Sequence, residues 1–176
     1  IYDILPQTGR FSKIVLTTNL ESKGYVDLTL DVIKKFGIDI NFKDNEFLIK
    51  GNQKYIPQNT SVEGDFSGAA FFIVAGILNG NLKLEGLNID SLQGDKEILD
   101  IVKNMGAILD ITKDSIHVKT NKTNGIVIDL AQIPDLGPIL MVLGSLSNGV
   151  TKLINGSRLR IKESDRLDAM VTNLRK

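Results

Sequence analysis

The chain has 176 residues, 42% hydrophobic and 24% charged, with 21 Lys plus Arg balanced by 21 Asp plus Glu. That length holds one domain with a sizeable core or two smaller lobes, in the composition of an ordinary soluble globular protein. The balanced charge gives no global field to recruit nucleic acid or an acidic membrane, and the absence of Cys excludes disulfides, thiolate catalysis and Cys-based metal sites.

Residues 1–13 carry Pro6 and Gly9 with little periodicity and read as an edge or a loose lead-in. They lack the basic-then-apolar pattern of a signal peptide. Lys13–Thr18 (KIVLTT) is β-branched and predicts a strand. Tyr25–Phe36 places Leu28, Val32, Ile33 and Phe36 at helical spacing, with Gly37 as terminator. Ile38–Phe42 and Glu46–Lys50 predict a hairpin across Lys43, Asp44 and Asn45. Residues 51–63 are polar, contain Pro57 and read as a connection, the best candidate for a lobe boundary.

Asp65 or Ser67 should cap the next helix, whose eleven-residue apolar run Gly68–Leu78 is too short to span a bilayer and predicts a buried helix. Leu82–Glu85 follows as a strand. Asp95 opens a helix with Ile98, Ile101, Val102 and Met105 inward, closed by Gly106. Ala107–Ile111 and Ser115–Lys119 make a second hairpin, Gly125–Asp129 a strand, Pro134–Leu146 a second apolar helix, and Thr151–Ile154 the strand after it. His117, the only His, lies mid-strand and makes no metal site or triad by itself.

This layout repeats. Gly37 and Gly106, Gly68 and Gly137, and Gly80 and Gly149 are each 69 residues apart, and DVIK at 31–34 matches DIVK at 100–103 in the same register. A fixed period with matching punctuation marks tandem supersecondary units. The unit is βαβαββ, in an α/β class, with about two and a half copies present. Apolar helices (68–78 and 138–146) alternate with amphipathic ones (26–36, 96–105 and 166–174), which predicts helices packed inside sheets rather than a doubly wound nucleotide fold. The chain starts without Met and stops within a helical pattern at Arg175 and Lys176, so an internal piece of a longer protein is expected.

Three stretches carry candidate chemistry. Residues 158–167 (RLRIKESDRL) hold Arg158, Arg160, Lys162, Glu163, Asp165 and Arg166 just ahead of a helix with Leu167, Met170, Val171 and Leu174 on one face. Two cations and a carboxylate near a helix N-terminus could hold an anion and move a proton; the alternative is a solvated helix start with local ion pairs. Asp135 sits at the mouth of an apolar helix, either as a cap or as a carboxylate that takes a proton from a hydroxyl. Ser22 and Lys23 precede the first helix, either as ordinary capping or as a phosphate-receiving turn.

Taken together, SKGYVDLTL (22–30), SVEGDFSGAAFF (61–72), LQGDKEILDIVKNMGA (92–107), QIPDLGPILMVLG (132–144) and RIKESDRLDAMVTNLRK (160–176) resemble segments of the 5-enolpyruvylshikimate-3-phosphate synthase family, in that family's order and spacing. The resemblance implies an inside-out α/β barrel of the enolpyruvyl transferase type, with residues 1–63 the C-terminal part of one lobe and 64–176 the first part of the other. It implies transfer of the enolpyruvyl group of phosphoenolpyruvate to the 5-hydroxyl of shikimate-3-phosphate, with release of phosphate, in aromatic amino acid biosynthesis. By motif, Asp135 matches the carboxylate on the shikimate hydroxyls, Lys162 the lysine between the substrates, Glu163 the group that protonates the phosphoenolpyruvate methylene and Arg166 an arginine on phosphoenolpyruvate. Ser22 and Tyr25 match shikimate-phosphate contacts. No metal or organic cofactor is implied, nor a nucleic-acid or membrane partner; a cytoplasmic, monomeric parent is expected. Arg158 stands where some members have Asn. The family's N-terminal lysine–serine–arginine site and its C-terminal Asn-Asp-His-Arg segment have no counterpart here, so these 176 residues alone are expected to be inactive. The sister UDP-N-acetylglucosamine enolpyruvyl transferase and a non-catalytic repeat-built binding module are the competing readings.

Overall fold

The computed structural model describes residues 1–176 and divides into two compact units, Ile1–Val62 and Glu63–Lys176. In the first unit, β1 (Ser12–Val15), α1 (Lys23–Lys35), β2 (Ile40–Lys43) and β3 (Glu46–Ile49) form a helix on a three-stranded antiparallel sheet of order β1-β3-β2. Asp44 and Asn45 both have positive φ, 53° and 60°, so the β2–β3 loop is a two-residue turn of the left-handed kind that matches strand twist. Lys43 belongs to the strand instead of the turn. Phe47 and Ile49 of β3, Ile33 of α1 and Ile38 ahead of β2 are the buried hydrophobic residues between helix and sheet.

The lead-in is not loose. Its 3₁₀ turn Leu5–Gln7 is tied to the far end of the unit, because Asn52 N–H donates to Thr8 O (2.7 Å) and Gln53 N–H to Pro6 O (2.9 Å). Tyr2 stacks edge-on against Phe47 at 5.0 Å. Periodicity could not show this, since the anchoring bonds are backbone groups of an irregular segment pairing with a distant one.

The second unit contains α2 (Phe66–Asn79), β4 (Leu82–Glu85), α3 (Ile98–Asn104), β5 (Ile108–Ile111), β6 (Ser115–Lys119), β7 (Val127–Asp129), α4 (Gly137–Ser145), β8 (Lys152–Ile154) and α5 (Arg166–Leu174). The order β4-β6-β5 repeats that of the first sheet, all antiparallel. The 69-residue period is thus present as topology. It also holds at the helix ends: Gly37 (φ 86°) and Gly106 (φ 102°) are left-handed, and Ile38 N–H to Ile33 O has its counterpart in Ala107 N–H to Val102 O. That is the Schellman closure, which only glycine accepts without steric cost. The third glycine pair departs from the period, since Gly149 has φ 81° and Gly80 is extended at φ −171°.

The core of this unit lies between α2, α3 and α4 and the inner faces of β4–β6 and β7–β8. It includes Phe66, Ile73, Ile77, Ile98, Val102, Ile116, Val118, Leu130, Leu136, Leu140 and Leu143. β7 pairs with β8 in parallel, so it forms a separate two-stranded sheet. α2 is not apolar-and-buried all round, because Phe71 and Phe72 are 52% and 60% exposed. α5 also departs from expectation. It packs chiefly on α4 and on the 3₁₀ turn Ser157–Ile161, with Leu167 against the core, and Val171 and Leu174 stay more than 40% exposed.

Candidate anion-binding site

Three backbone features bring one set of side chains to a common cleft. The 3₁₀ turn Pro134–Leu136 precedes α4 and presents Asp135. The 3₁₀ turn Ser157–Ile161 ends in extended backbone at Lys162. Asp165 then caps α5 by accepting from Asp168 N–H at 3.0 Å, which starts the helix at Arg166. Ser67, Gly68, Phe71, Asp135, Pro138, Lys162 and Arg166 line a cleft of about 400 Å³.

Asp135 Oδ1 lies 3.0 Å from Lys162 Nζ and 2.9 Å from Arg166 Nη1. All three side chains are about one-quarter exposed. Leu136, not Asp135, is the N-cap of α4, and the Asp135 carboxylate is directed to the two cations. Arg166 Nε and Nη2 donate to Glu163 Oε1 at 2.9 and 2.7 Å. The guanidinium therefore spans two carboxylates, and two cations with two carboxylates make a neutral cluster. A dianionic ligand can enter by taking the remaining N–H donors of Lys162 and Arg166 or by replacing a carboxylate on them.

The solvated-helix alternative accounts for only part of this. Arg160 pairs with Asp165 at 2.9 Å as an exposed local pair of little energetic value. The Arg166 bond to Asp135 instead joins residues 31 apart in part-buried surroundings.

Glu163 is the most exposed member, at 69%. Its own backbone N–H, and then the Arg166 hydrogen bond, hold its carboxyl below the usual glutamate range. The Arg166 guanidinium is raised, first by its bond to Glu163. Because the Glu163 pKa is depressed on folding, the pairing is complete above the ordinary glutamate pKa and is lost as the pH falls through the lowered folded value. A carbon-detected NMR titration should give Glu163 a midpoint below the ordinary glutamate range. Arg166→Ala should move that midpoint upward, and no movement would contradict the pairing.

Ser22 and Tyr25 lie in the first unit. Ser22 is the N-cap of α1 but makes no side-chain capping bond, and it holds φ 53° while only 8% exposed. Ordinary capping, one of the two readings of this residue, therefore does not describe it. Tyr25 is 40% exposed on the first turn of α1, and Lys23 pairs with Asp27 at 2.6 Å.

Sequence reasoning did not place Ser67, Gly68, Phe71 or Pro138 at the cleft. Asp65 and Ser67 were both candidate caps; Asp65 is the cap, accepting from Ser67 N–H (3.0 Å) and Gly68 N–H (2.8 Å). Asp95, expected to open a helix, is instead a buried residue of the 3₁₀ turn Gly94–Glu97 that receives the Ser67 hydroxyl. The available signal was a second polar side chain, Ser67, beside a cap that needs only one.

Comparison with known proteins places these features in context. The family described as EPSP synthase (3-phosphoshikimate 1-carboxyvinyltransferase) matches residues 8–176. A 3-phosphoshikimate 1-carboxyvinyltransferase of Clostridium novyi (strain NT) is 60% identical over 173 residues, which cover 98% of this chain and 40% of that protein. The protein of the same name from Methanocaldococcus jannaschii is 46% identical over 175 residues, covering 98% and 41%. A solved EPSP synthase from Acinetobacter baumannii superposes with a TM-score of 0.74 at 25% identity, over 94% of this chain and 39% of that one. The enolpyruvyl transferase NikO from Streptomyces tendae shares the fold, with a TM-score of 0.66 at 19% identity over 84% and 36%. The chain thus spans about two-fifths of the length of the curated relatives it matches.

Proposed function

The chain belongs to the EPSP synthase family, and on that premise we propose that it supplies part of the active site of an enzyme that transfers the enolpyruvyl group of phosphoenolpyruvate to the 5-hydroxyl of shikimate-3-phosphate. The observation that carries this reading is the Asp135–Lys162–Arg166 cluster lining one cleft, with Glu163 paired to Arg166 beside it. Two anionic substrates that must approach each other need cations to offset their repulsion, and addition followed by elimination needs an acid and a base.

In this scheme Asp135 takes the proton of the attacking hydroxyl while the oxygen bonds to C2 of phosphoenolpyruvate. Glu163 delivers a proton to the C3 methylene, giving a tetrahedral adduct. Glu163 then takes a proton back from the new methyl group as the C2–O bond to phosphate breaks, and phosphate leaves with the proton held by Asp135, so the net change is exchange of phosphate for the 5-oxygen of shikimate-3-phosphate. Lys162 and Arg166 neutralise the charge on the reacting groups. With Arg166 on its carboxylate, Glu163 is ionised and is a poor acid. When an anion takes Arg166, the second cause of that depression after Glu163's own backbone N–H is removed, so the carboxyl rises toward the usual glutamate range and becomes a better acid.

Ser22 and Tyr25, both in the first unit, fit contacts to shikimate-3-phosphate. A non-glycine residue in left-handed backbone costs about 1 kcal/mol, and such outliers gather at ligand sites. The two compact units correspond, in this reading, to the end of one lobe and the beginning of the other, in a cytoplasmic, monomeric enzyme. No helix of the chain is long and apolar enough to cross a membrane.

The names of the relatives favour the shikimate enzyme over its UDP-sugar sister. Saturation-transfer NMR on the 176-residue chain tests the choice. Signal from shikimate-3-phosphate or phosphoenolpyruvate, with none from UDP-N-acetylglucosamine, is expected. The reverse preference would favour the sister, and silence from all three at millimolar ligand would favour a non-catalytic module. With both shikimate-pathway substrates present, the chain alone should release no phosphate.

A further inference from the structure

The cleft has a second wall that the proposed chemistry leaves unused. It is formed by the first turn of α2, where Ser67 and Gly68 face the space also lined by Lys162 and Arg166. The donors of that turn are already committed. Ser67 N–H and Gly68 N–H both go to the Asp65 carboxylate. The Ser67 hydroxyl donates its single proton to Asp95 Oδ2 at 2.5 Å.

Asp95 is 1% exposed and is held in the 3₁₀ turn Gly94–Glu97. The neighbouring Gln93 side chain clamps the same region, accepting from Phe66 N–H (2.8 Å) and donating to Gly64 O (2.9 Å) and Glu63 Oε1 (2.9 Å). The start of α2 is therefore fixed relative to Asp95. A carboxylate only accepts, and a hydroxyl has one proton and two lone pairs, so Ser67 Oγ presents lone pairs to the cleft. The two walls then differ, with the Lys162 and Arg166 donors beside Asp135 on one side and the Ser67 acceptor on the α2 side.

We propose that Ser67 Oγ accepts a hydrogen bond from a hydroxyl group of the bound ligand, and that Asp95 is the positioning residue that fixes Ser67 in this accepting role. The cleft then sorts a ligand that is both anionic and hydroxylated, turning its hydroxyl edge toward α2. The inference rests on the functional reading above and extends it to a specificity contact.

The test compares two ligands on the 176-residue chain by amide shift titration: shikimate-3-phosphate, which carries hydroxyls, and inorganic phosphate, which has the anion alone. Ser67→Ala should weaken shikimate-3-phosphate by about fivefold, the value of one ordinary hydrogen bond, and leave phosphate within about twofold. Asp95→Asn should give the same selective loss, and the double variant should lose no more than Ser67→Ala does. Equal losses for both ligands, or no loss for either, in a Ser67→Ala chain with unchanged amide dispersion would overturn the proposal. If Asp95→Asn fails to fold, the Ser67→Ala comparison decides alone. If neither ligand shifts Lys162 or Arg166 in the unaltered chain, the functional reading fails and this inference falls with it; a selective failure at Ser67 leaves that reading intact.

Discussion

Arg166→Ala should lower the affinity of the cleft for phosphoenolpyruvate by at least about tenfold, because charge-assisted hydrogen bonds contribute roughly 1.5–3 kcal/mol each. The guanidinium touches both Asp135 and Glu163. Its removal leaves two carboxylates facing Lys162, so the neutral cluster becomes net negative at the point where an anion has to bind. The fold should hardly notice. Glu163 is largely solvated, so solvent screening leaves its pair with Arg166 little worth to stability. Arg166→Lys should recover only part of the affinity, since an ammonium restores the charge without the planar fork that spans two acceptors. Calorimetry with phosphoenolpyruvate, alongside thermal melts, measures both quantities. An alanine variant that binds as tightly as the parent would remove Arg166 from the site.

Gly125→Ala should be among the most destabilising single changes in the second unit, at about 3 kcal/mol. A Cβ at Gly125 would lie 2.3 Å from the carbonyl carbon and oxygen of Val150 and 2.7 Å from Thr151 N. These are backbone atoms, so no rotamer change can relieve the overlap. The φ of Gly125 is not in the left-handed region, and the cost is therefore steric. Around it, Gly125 N–H donates to Asn148 O at 2.7 Å and Lys152 N–H to Ile126 O at 2.9 Å, which closes the junction of β7 and β8. Prising it open shifts β8, whose Ile154 O accepts from Leu130 N–H and which leads directly into the turn before Lys162. Urea denaturation should show the loss, and phosphate affinity should fall with it. A cost under about 1 kcal/mol would mean that β8 moves aside without strain, against the tight pairing described here.

The contrast between these two residues shows what could be read from the sequence. Hydrophobic spacing located α1 to α5 to within a few residues, because burial on one face imposes its period on the chain. The 69-residue register carried further, since glycines that must adopt φ > 0 leave a mark in sequence, as at Gly37 and Gly106. Gly125 left no such mark. Its need for a bare Cα comes from the backbone of Val150, in the distant loop before β8. The α2 wall was hidden in the same way: the Ser67–Asp95 bond joins residues 28 apart that each had a local explanation as a helix-start residue.

At the cleft, the resemblance pointed to Asp135, Lys162, Glu163 and Arg166, and all four lie within one chain of ion pairs. Spacing alone put each near a helix mouth and left capping open. Only the packing of the 157–161 turn and α5 against α4 brings Lys162 and Arg166 onto Asp135. Why Val171 and Leu174 stay exposed on α5 is equally a matter of packing, because periodicity reports an apolar face and says nothing of what covers it.

Residue-resolved titration of the ¹⁵N-labelled chain with phosphoenolpyruvate and then shikimate-3-phosphate tests the central claim most directly. The account predicts saturable shifts that cluster at Asp135, Lys162, Glu163 and Arg166 for the first ligand and extend to Ser22 and Tyr25 for the second. Shifts that never saturate at millimolar ligand, or that gather away from these residues, would contradict it.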